Sequence, residues 1–71
     1  MTEVAAEIAG SVWKIECGVG DRVKVEQVLL ILESMKMEIP VEAPCAGIVR
    51  EIRVAEGDRI DEDAVLVLIE E

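Results

Sequence analysis

Apolar residues fall along the chain in short runs separated by turn-forming residues. The runs are Val4–Ile8, Val12–Cys17, Arg22–Val25 and Val28–Glu33, then Val41, Val49–Val54, Arg59–Ile60 and Val65–Glu70. Val, Ile and Leu dominate them, and β-branched side chains fit a pleated, half-buried surface better than a helix. The pattern predicts short strands throughout. Strict alternation would put positions 11, 13, 15 and 17, with 48, 50, 52 and 54, on one side of a strand. Arg50 breaks that otherwise apolar set, and nothing in the sequence accounts for it. One stretch is ambiguous by periodicity: residues 25–39 lack breakers and could be drawn as a helix ending before Pro40.

An internal repeat resolves the ambiguity. Shifting the sequence by 37 positions aligns residues 4–34 with 41–71 without a gap, and twelve of the 31 pairs are identical, among them Gly10/Gly47, Val12/Val49, Gly20/Gly57, Asp21/Asp58 and Leu29/Leu66. The second copy of the ambiguous stretch, Ala64–Glu70, is short and β-branched, as a buried strand would be. Both copies should share one conformation, so a strand is expected in each. The expected fold is all-β: a flattened β-barrel or sandwich of two pseudosymmetric four-stranded halves, in a single domain over residues 1–71. Neither half should be stable alone. Gly20-Asp21 and Gly57-Asp58 fall at equivalent places, where Gly supplies positive φ and Asp can accept from a nearby backbone amide. They read as turns; a phosphate-binding role would need a Gly-rich pattern opening a helix, which is absent.

Composition narrows the function. Apolar residues make up 52% of the 71 residues, yet there is one Trp and no Phe or Tyr, so the core must be built from Val, Ile, Leu and Ala. A chain this short buries only roughly 60% of its unfolded surface. The net charge of −9, with no cluster of Lys or Arg, argues against nucleic acid, and Trp13 alone makes no stacking platform. Acidity of this degree keeps a small domain soluble and would speed docking to a basic cleft, an effect that salt weakens. The apolar runs are too short to span a bilayer and no leader pattern opens the chain, so a cytoplasmic, non-membrane protein is expected. Cys17 and Cys45 read as reduced core or loop residues. With no His, two cysteines 28 positions apart do not make a zinc site, and Asp61-Glu62-Asp63 lacks the ligand spacing of a calcium loop. No nucleophile with a base and no convergent carboxylate pair suggests independent catalysis.

The chemistry that remains lies between the two copies, in Glu33-Ser34-Met35-Lys36-Met37-Glu38-Ile39-Pro40. A segment joining the last strand of one half to the first of the next is a hairpin, so Met35-Lys36 should project into solvent at one end. Pseudosymmetry puts both termini at the other. A solvated lysine is protonated and a poor nucleophile, and Glu33 and Glu38 stabilise its ammonium. Lys36 is therefore a poor catalyst but a suitable acceptor when another enzyme activates the incoming acid. Gly, Asn or Asp would be the ordinary turn residues, whereas Met35 and Met37 offer adaptable apolar contacts. By composition alone, a surface lysine beside two core methionines would be the plainer reading.

The segment Glu33-Ser34-Met35-Lys36-Met37-Glu38 resembles the signature of the biotinyl domains of biotin-dependent carboxylases, within the biotinyl/lipoyl attachment family. The repeat, Ala43-Pro44 followed by Ala46-Gly47, and the paired Gly-Asp turns are similar to that family too, so the resemblance spans the chain. It implies the family's barrel-sandwich hybrid fold and a carrier role without catalysis of its own. Lys36 would be joined to biotin by a biotin protein ligase using biotinyl-adenylate. Met35 and Met37 would aid recognition, with Glu33, Ser34 and Glu38 as hairpin context. The tethered cofactor would shuttle a carboxyl group as carboxybiotin between biotin carboxylase and carboxyltransferase subunits, and the domain is expected to be a monomer in isolation. No protruding loop interrupts the first half, which resembles the minimal form of the domain; the acyl substrate is not indicated. Two alternatives share the fold: a lipoyl carrier, whose hairpins typically carry Asp before the lysine and Ala after it, and an unmodified lipoyl-like interaction module, which generally lacks a complete Met-Lys-Met tip.

Overall fold

A computed structural model describes residues 1–71 and contains eight strands and no helix: β1 Thr2–Ala5, β2 Gly10–Ile15, β3 Arg22–Val23, β4 Val28–Ser34, β5 Met37–Glu42, β6 Gly47–Ile52, β7 Arg59–Ile60 and β8 Val65–Glu70. Residues 25–39, which periodicity alone leaves open, form parts of two strands and the hairpin between them. Boundaries move modestly from expectation. The first strand begins two residues early, and the expected single residue Val41 extends into the six-residue β5. Strand β3 stops at Val23 because Lys24–Gln27 turns, closed by Gln27 N–H donating to Lys24 O and by the Lys24 amide donating to Gln27 Oε1.

Each four-stranded antiparallel sheet draws on both halves of the repeat. One has the order β1-β8-β6-β3 and the other β5-β4-β2-β7. The shift of 37 positions converts β1 to β5, β2 to β6, β3 to β7 and β4 to β8, so the two orders are the same arrangement with the halves exchanged. Loop hydrogen bonds repeat in the same way. The Gly20 amide donates to Val49 O and the Gly57 amide to Val12 O; Glu26 N–H donates to Ala43 O and Asp63 N–H to Ala6 O. An isolated half would lose strand partners in both sheets together with these loop hydrogen bonds, and would leave its share of the core uncovered.

The Gly-Asp turns act as expected. Both glycines have φ of +95°, and Asp21 and Asp58 accept from the amides three residues earlier, those of Gly18 at 2.8 Å and Ala55 at 2.9 Å.

Alternation along β2 and β6 is corrected by a pair of β-bulges. In β2 the register passes from Val12↔Leu32 to Lys14↔Ile31, and in β6 from Val49↔Ile69 to Glu51↔Leu68, leaving Trp13 and Arg50 as the extra residues. The inward set is thus Val12, Ile15 and Cys17 with Val49, Ile52 and Val54, rather than every second residue from 11 and 48. Arg50 is accounted for: the bulge turns it to solvent, where its guanidinium pairs with Glu70 across the sheet. Trp13, at the equivalent place, is 49% exposed.

The core holds thirteen buried side chains, all of them Val, Leu, Ile or Ala. Cys17 and Cys45 pack against it, half-buried and unpaired. No buried side-chain polar atom lacks a partner. The molecule measures 32 × 17 × 16 Å.

Candidate functional site

The hairpin between β4 and β5 has the tightest connection available to antiparallel strands, a two-residue loop of Met35 and Lys36 closed by Ser34 opposite Met37. Both loop residues have positive φ, 53° and 65°, the signature of a type I′ turn. That turn matches the right-handed twist of the flanking strands, which is why so short a loop adopts it, but it favours Asn-Gly over residues bearing long side chains. Holding Met and Lys there costs roughly 1 kcal/mol or more each. Directly below, Glu33 stands opposite Glu38, a like-charge pair that also disfavours the hairpin. Local residue choice at the tip is therefore opposed to stability, and strain persisting at an exposed tip points to use.

The side chains are displayed rather than packed. Met35 is 89% exposed and Met37 65%, which sets aside the plainer reading of a core methionine pair. Lys36 is exposed and takes part in no ion pair or hydrogen bond. No acceptor within the chain pairs with its amine. For the same reason acylating the amine would break no contact of the folded chain. A free primary amine on a rigid turn, flanked by two unbranched apolar side chains, thus fits covalent attachment of a carboxylic acid cofactor. No group of His, Cys, Asp and Glu converges to hold a metal ion.

Beneath the tip, Gly10 allows β2 to run close to β4; a Cβ on it would lie 2.5 Å from the Glu33 carbonyl oxygen. Cross-strand register then aligns Glu33, Ser11 and Arg59 in a row on the outer face of their sheet. With Met35, Lys36 and Asp61 they border a cleft of about 470 Å³ beside the hairpin. Arg59 makes no ion pair, so this end of an acidic chain carries two unpaired cations. In the sequence Arg59 reads only as the start of the short strand Arg59–Ile60, and only the pairing of β7 with β2 brings it to the site. The two-fold relates this end to one bordered by Arg22, Ile48, Glu70 and Glu71, where Thr2 Oγ1 donates to Glu71 Oε1 at 2.6 Å. Both termini meet there, clear of the hairpin.

Comparison with known proteins identifies the family and the fold. The family model described as biotin-requiring enzyme matches residues 1–69. The chain is 48% identical over 40 residues to the biotin/lipoyl attachment protein of Bacillus subtilis, a match covering 56% of this chain and 55% of that protein. It is 49% identical over 41 residues to biotinylated protein TB7.3 of Mycobacterium tuberculosis, covering 58% of each. Among solved structures, urea carboxylase of Kluyveromyces lactis superposes with a TM-score of 0.93 at 30% identity, over 97% of this chain and 6% of that one. A single-chain, multi-domain long-chain acyl-CoA carboxylase gives 0.87 at 26% identity, over 93% of this chain and 6% of that one. The matches thus span little more than half of the small relatives and a few per cent of the carboxylases.

Proposed function

Because the chain belongs to the biotin/lipoyl attachment family of biotin-requiring enzymes, we propose that Lys36 is its biotinylation site and that the domain is the carboxyl carrier of a biotin-dependent carboxylase. The observation that carries this reading is the tip itself: an exposed, unpaired amine held in a strained type I′ turn between two exposed methionines. Neither strain nor exposed Met serves the folded domain alone, and both serve a partner that must seize and acylate one lysine.

In the attachment step, Lys36 Nζ gives up a proton to a base of the ligase and attacks the acyl carbon of biotinyl-adenylate. The C–N bond forms as the acyl–phosphate bond breaks, AMP leaves, and the nitrogen loses a second proton as the amide forms. Biotin then supplies the carboxyl-carrying chemistry. The chain's own part is placement. The two-residue loop fixes where the arm starts, and the opposed termini keep any linker away from it. A tether of this kind gives the arm's free end an effective concentration of order mM at a neighbouring active site. Met35 and Met37 supply apolar contacts adaptable to the successive grooves of ligase, biotin carboxylase and carboxyltransferase. Two unpaired thiols fit a reducing, cytoplasmic setting.

The test is co-expression with a biotin protein ligase, followed by intact mass of the wild type and of Lys36→Arg. One biotinyl increment on the wild type and none on the variant is expected. A lipoyl increment on native protein, or no increment where a control carrier is labelled, would overturn the reading.

A further inference from the structure

The largest concavity of the molecule lies away from the hairpin tip. Strands β1 and β5 are each the edge of their own sheet, and between them opens a groove of about 550 Å³ on the side of the sandwich where the two-fold relates one edge to the other. Its floor is apolar, formed by Val4, Leu32, Ile39 and Val41, and its shoulders are two of the few exposed large aliphatic side chains, Ile8 at 37% and Val25 at 57%. Its rim is acidic: Glu3, Glu7, Glu26 and Glu42 line it, all exposed, and no Lys or Arg does.

Charge alone can guard an edge strand against unwanted pairing, but such guards are most often lysine and need not share a sign. Four carboxylates around an apolar floor, with Arg53 the one cation close to any of them, near Glu3, repel a second copy of this acidic chain and attract the opposite charge. The flat shape between two edges suits an extended segment, whose side chains alternate between floor and rim. Leu32 and Ile39 are each three residues from the tip, so a segment seated there lies roughly 10 Å below Lys36.

We propose that the groove between β1 and β5 is a docking site for an extended basic segment of a partner protein, with apolar side chains on the floor and Lys or Arg against the rim. The groove includes none of Met35, Lys36 and Met37, so binding there does not require the free amine. Steering by the rim raises the association rate at low salt and fades as ionic strength rises.

The probe is a labelled, capped peptide of four Lys-Val repeats, titrated into the full chain by fluorescence anisotropy and by amide chemical shifts. Expected are saturable binding, shifts concentrated on residues 3–8, 25–26 and 39–43, and affinity weakened about tenfold or more in the quadruple variant Glu3→Gln, Glu7→Gln, Glu26→Gln, Glu42→Gln. A second quadruple variant, Glu16→Gln, Glu33→Gln, Glu56→Gln, Glu70→Gln, removes the same charge outside the groove and should weaken binding less than threefold. Ile8→Ser with Val25→Ser, which leaves the charge intact, should weaken it severalfold. Equal losses in the two charge variants, shifts spread over the acidic surface, or no saturable binding would overturn the proposal. The carrier reading is tested separately by mass and can stand or fall without it.

Discussion

Replacing Met35-Lys36 by Asn-Gly separates the demands of function from those of folding. Both residues occupy the left-handed region, with φ of 53° and 65°. Relief of that conformation is worth about 1–2 kcal/mol per residue for Lys36→Gly and somewhat less for Met35→Asn, since Asn tolerates the region without being indifferent to it. Against this, glycine gains freedom in the unfolded chain worth about 0.5–1 kcal/mol. No packing is lost, because Met35 is 89% exposed and Lys36 makes no contact that stabilises the fold. The net expectation is a gain of about 1–2 kcal/mol. At an unfolding entropy of about 2 cal/mol/K per residue, the 71-residue chain should show a Tm raised by roughly 7–14 °C. Differential scanning calorimetry, with urea denaturation to check that m is unchanged, measures it. The doubly substituted chain should take up no biotin, while Lys36→Arg should match the wild type in stability to within about 0.5 kcal/mol and also remain unlabelled. A Tm unchanged or lowered in the Asn-Gly variant would refute the view that the tip is strained.

Gly10→Ala would push a Cβ to 2.5 Å from the Glu33 carbonyl oxygen; we expect a loss of about 1–3 kcal/mol in urea denaturation and slower labelling of Lys36 by the ligase, since β4 must shift beneath the tip. Separate peptides for residues 1–37 and 38–71 should each be unfolded by circular dichroism and recover a β signal only when mixed, because every sheet needs strands from both. Burial, reinforced by nearby Asp21, raises the pKa of the Cys17 thiol above its ordinary value. The folded state therefore holds that proton more tightly than the unfolded chain. The resulting stability is fully present below about pH 9 and is lost as pH climbs through the folded-state pKa. Denaturation midpoints measured between pH 7 and 11 should fall less steeply for Cys17→Ala than for the wild type.

Much of this molecule is written in local residue choice. Runs of β-branched residues set the strands, Gly-Asp pairs set the turns at 20–21 and 57–58, and the gap-free repeat excludes a helix over residues 25–39 by requiring both copies to agree. Its midpoint likewise marks the hairpin and Lys36, because the segment lying between the two copies must join two equivalent units. These features depend on neighbours a few residues apart, or on comparing the chain with itself. Other features depend on which strands meet. Trp13 and Arg50 face outward because the ladder partners of β2 and β6 admit one extra residue, and no pattern within either strand reveals where its partner takes up the slack. Arg59 joins the hairpin end only through the pairing of β7 with β2. The groove exists because β1 and β5, which sequence separates by more than thirty residues, are left as facing edges when the two halves exchange strands. Local propensity determines what each segment is; burial of one shared core determines which segments pair, and so where the chain's charge and its few exposed apolar side chains come together.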